Sequence, residues 1–418
     1  MLSNTRLIPR TLTFILAGGK GRRLRPLTLT RPKPLVPFCG IFRIIDFTLS
    51  NCVNSNLKNV YLLIQRQHAS LERYIEAAAA NPYGPFCRKQ SPSLVCLPPE
   101  PGRTYVGTAD AVLQNISLLE REAPAFVLIL AADHVYKMDY TQLLRSHADS
   151  GAELTVAAVE YPKAMASGFG VLQAGPENEV LTFEEKPRDP KPLRTNSNLA
   201  LVNMGIYVFN TGALIRAVVE DGWRRNSDHD FGKSVIPASI GTLHTCVYNF
   251  TSAARATPGY WRDVGTIESY YQSQMELLLM NSPLDPYNDA LSPTYAFGEC
   301  NASSPLGGWC ERNSALDSIV SREATILGAR IVRSVISQGV HIEAPAEIES
   351  SILLSGVRVG RGARIRRAVI DENAEIPENA EIGYGSEGNQ RLFRVSRGGV
   401  VVVPGESSPA FQCARIAF

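Results

Sequence analysis

The sequence predicts an α/β protein: a doubly wound, mostly parallel, Rossmann-like domain followed by a parallel β-helix of hexapeptide repeats. Three observations predict it. The first two thirds of the chain alternate short apolar runs with helical spacings, a stretch rich in Pro, Ser, Asn and Gly follows, and beyond it aliphatic residues recur every six positions.

The apolar runs come first. Leu12 to Ala17, Val60 to Ile64 and Phe126 to Ala131 read as buried strands. His68 to Ala80 and Thr108 to Glu120 have helical spacing, the second behind Thr108 as its expected N-cap. Strand–helix–strand alternation implies right-handed crossovers and a parallel sheet covered on both faces. Leu154 to Val159 and Gly205 to Phe209 supply later strands, and Thr266 to Asn281 reads as a closing helix. Residues 1–281 are therefore expected to form one domain, 282–310 a linker, and 311–418 the repeat domain. In that last region Ile326 and Val332, then Ile336, Ile342, Ile348 and Leu354, then Val359 and Ile365, then Ile370, Ile376 and Ile382 keep the six-residue period. Such a period marks one face of a triangular coil whose turns stack their aliphatics into a core. A β-sandwich would show alternation with period two instead.

Composition narrows the partners. With 44% hydrophobic and 20% charged residues the chain is globular rather than disordered. Its 42 Lys and Arg against 40 Asp and Glu leave a net charge of +2, which argues against a nucleic-acid or membrane-surface binder. No apolar run approaches the roughly 18 residues of a membrane span, and Met1 to Thr11 lacks a secretory pattern. The 8 cysteines include no C-x-x-C pair, so reduced thiols and a cytoplasmic location are expected.

The chemistry concentrates after the first strand. Gly18-Gly19-Lys20-Gly21-Arg22-Arg23-Leu24 is neither a Rossmann fingerprint nor a P-loop. Its three glycines nevertheless let backbone N–H groups approach anionic oxygens, and the same loop carries three cations. Lys33, between Pro32 and Pro34, is presented from a stiff segment. Asp133 follows the Phe126–Ala131 run and should project from the carboxyl end of a central strand, where open α/β sheets bind ligands. Asp263, in Tyr260 to Thr266, is its candidate partner, and two carboxylates completed by phosphate oxygens and waters suit Mg²⁺. No histidine spacing suggests zinc. Lys186, before Pro187 and after Glu185, reads either as a buried salt bridge or as a sugar-phosphate clamp.

Together these motifs resemble the sugar-nucleotide pyrophosphorylases, and within them the glucose-1-phosphate adenylyltransferases of bacterial glycogen synthesis. The resemblance runs from Phe14 to Phe393. It is carried by the loop at Gly18 to Leu24, by Pro32-Lys33-Pro34, by Phe42-Arg43-Ile44-Ile45-Asp46-Phe47 and by Tyr105 to Ala111. Later come Ala132 to Lys137, Phe169-Gly170-Val171, Glu185-Lys186-Pro187, Met204 to Phe209, Asp230-Phe231-Gly232-Lys233 and Tyr260 to Thr266.

What the resemblance implies is specific. The reaction is ATP plus glucose 1-phosphate giving ADP-glucose and pyrophosphate, and the repeat domain is a left-handed parallel β-helix. Lys20, Arg23, Lys33 and Asp133 are implied as catalytic. Gly18, Gly19, Gly21, Gln65, Tyr105, Gly107 and Thr108 are implied at the nucleotide, and Gly170, Glu185, Lys186, Asn203 and Met204 at the sugar phosphate. Asp133 and Asp263 are implied as the Mg²⁺ ligands. A homotetramer with a small-molecule effector site is implied as well. Five positions depart from the usual pattern. Thr104 precedes Tyr105, Thr30 and Pro37 stand where relatives activated by fructose 1,6-bisphosphate have Lys and His, Asn203 replaces a common Ser, and Ser234 a usual Asp. Unusual or absent activation by that metabolite is expected. A pyrophosphorylase of another nucleotide, a catalytically weak regulatory homologue and an acyltransferase built on the repeats are the competing readings.

Overall fold

The structure, a computed structural model, describes residues 7–19, 21–65, 69–81, 84–87, 93–251, 259–298, 315–385 and 393–405. The chain divides into two compact units that interleave in sequence. One takes Met1–Gly18, Thr48–Ala132 and Tyr136–Trp261; the other takes Gly19–Phe47, Asp133–Val135 and Arg262–Phe418.

The first unit is built on a nine-stranded sheet among the described residues. Its strands are β1 Thr11–Leu16, β2 Asn59–Leu63, β3 Ser93–Leu97, β4 Phe126–Ala131, β5 Leu154–Pro162, β6 Gly170–Ala174, β7 Val180–Glu185, β8 Leu199–Asn210 and β9 Thr245–Asn249. Strands β3, β2, β1 and β4 pair in parallel, with Phe14 opposite Tyr61 on one side and Ile129 on the other. The long β8 runs antiparallel to β4, β5 and β6, and β9 returns parallel to β5. Leu12, Phe14, Val127 and Ile129 are fully buried, as continuous apolar strands covered on both faces require.

Two helical expectations change in detail. The stretch from Thr108 is two short helices, Thr108–Leu113 and Ile116–Glu122, because Asn115 turns its amide to the Ala111 carbonyl and the Tyr105 hydroxyl. The N-cap position belongs to Gly107, and the Thr108 hydroxyl is engaged elsewhere. The helix after β2 is Ala69–Ala80, and His68 lies outside the described residues.

The second unit carries the β-helix. Ile331, Ile348, Ile365 and Ile382 stack on one face, Ile336, Leu353 and Ile370 on a second, Ile342, Val359 and Ile376 on the third. All of these but Ile376 are at most 1% exposed, and Ile376 is 3% exposed. Two positions in the repeat shift by one residue: Ile331 and Leu353 line the coil core, where the six-residue period pointed to Val332 and Leu354. Successive strand residues face opposite sides, so one step changes the face. A serine ladder runs inside the corners, with Ser334 N–H donating to Ser318 Oγ and Ser351 N–H to Ser334 Oγ.

The helix at Ile267–Glu276 opens on a Thr266–Ser269 capping box and stops short of Asn281, giving way to turns in which Leu279 and Met280 are exposed. Its Tyr270 hydroxyl donates to Pro37 O and its Tyr271 hydroxyl to Ser350 O, tying the helix to the Lys33 segment and to the coil. Of the expected linker, 299–310 lies outside the described residues, while Leu284 and Phe297 before it are buried. Among the described residues Cys39, Cys52, Cys96 and Cys246 are free thiols, and no helix is long and apolar enough to cross a membrane.

Candidate active site

Lys33 is the centre of a cation–carboxylate cluster in the second unit. Its Nζ donates to Asp133 Oδ2 at 2.9 Å and to Asp263 Oδ1 at 2.8 Å, with the Lys33 side chain only 6% exposed. The chain reaches this arrangement from three directions. Pro32 and Pro34 stiffen the turn Lys33–Leu35, Asp133 comes two residues after β4 ends, and Asp263 ends the short strand Trp261–Asp263. Arg23 Nη2 lies 3.8 Å from Asp263 Oδ2 but is largely exposed, so it remains available to an incoming anion.

Electrostatics hold Lys33 and Asp133 ionised. Burial opposes the charge on Lys33, yet Asp133 and Asp263 outweigh it and keep the ammonium above its ordinary range. Burial likewise opposes ionisation of Asp133, and Lys33, then His134, reverse it and hold that carboxyl well below the usual carboxylate range. His134 Nε2 stands 3.6 Å from Asp133 Oδ1. Sequence reasoning passed over His134, whose one visible signal was its place beside Asp133.

The donor set fits a hard divalent cation. Ligand atoms of Asp133, His134 and Asp263 lie within 4.8 Å of one another, and two carboxylates with open positions suit an ion that retains water and phosphate ligands. Gly21 belongs to the glycine loop beside Lys33. Its φ is +56°, and a Cβ there would meet Thr28 Cγ2 at 2.9 Å and Lys33 Cβ at 3.2 Å, so only glycine fits. Gly19 is in the same unit, and Lys20 lies outside the described residues.

The remaining predicted residues belong to the first unit and form three groups. In one, Gln65 Nε2 donates to Tyr105 O at 2.7 Å and faces Gly18, while the Tyr105 hydroxyl is fixed by Leu97 O and the Asn115 amide. In the second, a Cβ at Gly107 would collide with the His229 carbonyl oxygen and come within 2.6 Å of Asp228 O. Thr108 Oγ1 donates to Asp230 Oδ2 at 3.0 Å and accepts from Phe231 N–H at 2.9 Å. The Thr108 hydroxyl thus shapes the loop through Asp230 and Phe231.

The third group surrounds Lys186. Gly170 pairs with Glu185 across β6 and β7, and Lys186 Nζ donates to Glu185 Oε1 at 2.8 Å. The ammonium is half exposed, so this pair is not the buried salt bridge that was one reading of the motif. Asn203 Nδ2 donates to the Tyr207 hydroxyl at 2.8 Å and its Oδ1 accepts from Gly205 N–H, at a bulge in β8. Met204, next to Asn203 on β8, is fully buried. Gly232 faces Glu185, so the Asp230–Gly232 turn borders both Thr108 and Glu185. Asp230 and Tyr207 are participants the sequence did not assign, although Asp230 sat inside a motif already conspicuous there.

The chain matches two family models: nucleotidyl transferase over residues 12–279, and GlmU-like C-terminal hexapeptide over residues 308–403. It is similar to proteins named glucose-1-phosphate adenylyltransferase. That of Rhodopirellula baltica is 42% identical over 368 residues, covering 85% of this chain and 80% of the relative. That of Shewanella frigidimarina is 41% identical over 413 residues, covering 96% and 97%. Glucose-1-phosphate adenylyltransferase 2 of Alkalilimnicola ehrlichii is 40% identical over 404 residues, covering 96% and 94%.

Proposed function

Because the chain belongs to the glucose-1-phosphate adenylyltransferases, within the nucleotidyl transferase family, we propose that it transfers an adenylyl group from ATP to α-D-glucose 1-phosphate, releasing pyrophosphate and forming ADP-glucose for α-glucan synthesis. The observation that carries this reading is the convergence of Lys33 on Asp133 and Asp263.

The reaction needs no strong base. A sugar phosphate has a second pKa near 6, so at neutral pH its dianion is the nucleophile, and the enzyme must align it in line with the α-phosphorus and neutralise charge. Lys20, Arg23 and Lys33 supply positive charge to the triphosphate, and the amides of Gly18, Gly19 and Gly21 donate to it. Gln65, Tyr105, Gly107 and Thr108 line the nucleotide, whose loop is held in shape by Asp230. Lys186 and Glu185, with Gly170, Asn203 and Met204, receive the sugar phosphate. Enzymes of this kind use a divalent metal; here it is Mg²⁺, which Asp133 and Asp263 would hold, and when bound it supplies charge stabilisation at the phosphates.

Residues 1–281 form the catalytic part in this reading and 311–418 the assembly and regulatory part, the whole a cytoplasmic homotetramer. With Thr30 and Pro37 in place of Lys and His, activation by fructose 1,6-bisphosphate is unusual or absent.

The deciding experiment is pyrophosphate release with glucose 1-phosphate, Mg²⁺ and each of ATP, UTP, dTTP and GTP. ATP alone is expected to support rapid release. A preference for another nucleotide would replace the donor, and release with none would leave a regulatory homologue.

A further inference from the structure

The two carboxylates that Lys33 bridges are the ones that a divalent cation would need. Asp133 Oδ2 and Asp263 Oδ1 both point at Nζ, from 2.9 and 2.8 Å. The ligand-capable atoms of Asp133, His134 and Asp263 lie within 4.8 Å of one another, so the seat between them is small. An octahedral Mg²⁺ draws its oxygens to about 2.1 Å, which leaves no room for an ammonium on the same pair. Two cations in that seat would also repel at short range in a poorly hydrated site.

We infer that Lys33 and the divalent cation compete for one seat between Asp133 and Asp263, and that the ammonium moves to the substrate phosphates as the cation enters. The inference rests on the proposed function and deepens its account of the metal site. The backbone cannot make the move, since Pro32 and Pro34 fix the segment and the Lys33–Leu35 turn is buried. The side chain can, because its four-carbon stem starts beside the phosphate loop: a Cβ on Gly21 would sit 3.2 Å from Lys33 Cβ. Two further side chains face the seat. Arg23 is 3.8 Å from Asp263 and exposed, hence screened, and His134 is 3.6 Å from Asp133.

Exchange has a consequence for binding order. A cation arriving alone must evict an ammonium that then has no anionic partner, so it binds weakly. A cation arriving with a triphosphate brings the ammonium its new partner. Metal and nucleotide therefore enter as a unit, and Lys33 keeps the paired carboxylates from repelling each other until they do.

The test is Mn²⁺ binding to the full chain without nucleotide, followed by the electron paramagnetic resonance of free Mn²⁺. Lys33→Gln is expected to tighten Mn²⁺ binding roughly tenfold or more over wild type, and adding Asp263→Asn to that variant should reverse the gain. Unchanged or weaker binding by Lys33→Gln overturns the inference. Should Lys33→Gln not fold, the wild-type chain supplies the second measurement. Acetylation of the Lys33 amine by acetic anhydride, quantified by mass spectrometry, should rise several-fold at saturating Mn²⁺, and an unchanged rate overturns the exchange. Failure here alongside normal ADP-glucose synthesis leaves the proposed function intact; no pyrophosphate release from any nucleotide defeats that function separately.

Discussion

Arg31 and Asp371 are 340 residues apart in sequence, and Arg31 Nη1 donates to Asp371 Oδ1 at 2.7 Å. Glu372 takes the other terminal nitrogen of Arg31 at 3.1 Å and also pairs with Arg43 at 3.4 Å. The segment that presents Lys33, two residues on from Arg31, is thereby tied to a corner of the β-helix. Desolvation is the larger influence on Asp371, whose carboxyl stays above its ordinary range even with Arg31 beside it. Such a pair is costly to break and not costly to replace. Asp371→Ala is expected to destabilise the protein by about 3 kcal/mol, whereas Arg31→Met with Asp371→Leu should lose far less than the two single changes summed. Urea unfolding of wild type, the three single variants and the double variant measures it, and additive losses would deny the coupling.

The same pair shows what a sequence can and cannot carry. The aliphatic repeat was legible because the coil core is periodic: Ile342, Ile348 and Ile365 are buried where a six-residue period puts them. The strands were legible because runs such as Phe126 to Ala131 are apolar throughout. Asp133 was legible because it closely follows such a run, and Asp263 because it lies inside a recognisable motif. Arg31 with Asp371 was not, because a single long-range ion pair leaves no period and depends on contacts formed only after folding. The break at Asn115 was missed for a related reason, since that amide leaves the helix for the Tyr105 hydroxyl, which helical spacing does not encode. Thr108 was mistaken for a cap because its hydroxyl suits one; its actual partners, Asp230 and Phe231, are 122 and 123 residues away in sequence.

Gly107→Ala should damage nucleotide use selectively. The added methyl has no space against the His229 carbonyl, so either His229 or the Gly107–Thr108 turn must shift. Overpacking of this kind costs about 1–3 kcal/mol, and it displaces the backbone beside Thr108. The KM for ATP is expected to rise roughly tenfold, with the KM for glucose 1-phosphate changed less than twofold. Steady-state kinetics with each substrate varied in turn would show it, and equal rises would remove the loop from the nucleotide side.

Lys186 and Asp133 should separate along different kinetic axes. Lys186 carries a half-exposed ammonium beside Glu185, suited to a phosphate in the ground state. A charge-assisted hydrogen bond contributes about 1.5–3 kcal/mol, so Lys186→Gln should raise the KM for glucose 1-phosphate by roughly tenfold to a hundredfold. Its KM for ATP should stay put. Asp133→Asn instead removes a group acting on charge that develops during transfer, and kcat should fall roughly a hundredfold with both KM values largely kept. If Lys186→Gln weakens ATP as much as the sugar phosphate, its assigned side is wrong.

His147 sets an acid limit on stability that is independent of catalysis. It is 1% exposed, with Nδ1 2.8 Å from Thr155 Oγ1 and Nε2 3.2 Å from Asn210 Oδ1, and Phe126 packs edge-on against its ring. Burial depresses the imidazole to about 4, the Asn210 oxygen offsetting only part of it. In the unfolded chain the same ring titrates near 6.5. Between those values the unfolded state holds a proton that the native state lacks, so stability falls as pH drops through this window, by up to about 3 kcal/mol. The effect is absent above the unfolded value and complete near the folded one. Urea unfolding from pH 7.5 to 4.5 should show wild type losing stability faster than His147→Gln, which has no such proton to take up. Parallel losses in the two proteins would mean that the ring is already protonated, or never buried, in the folded state.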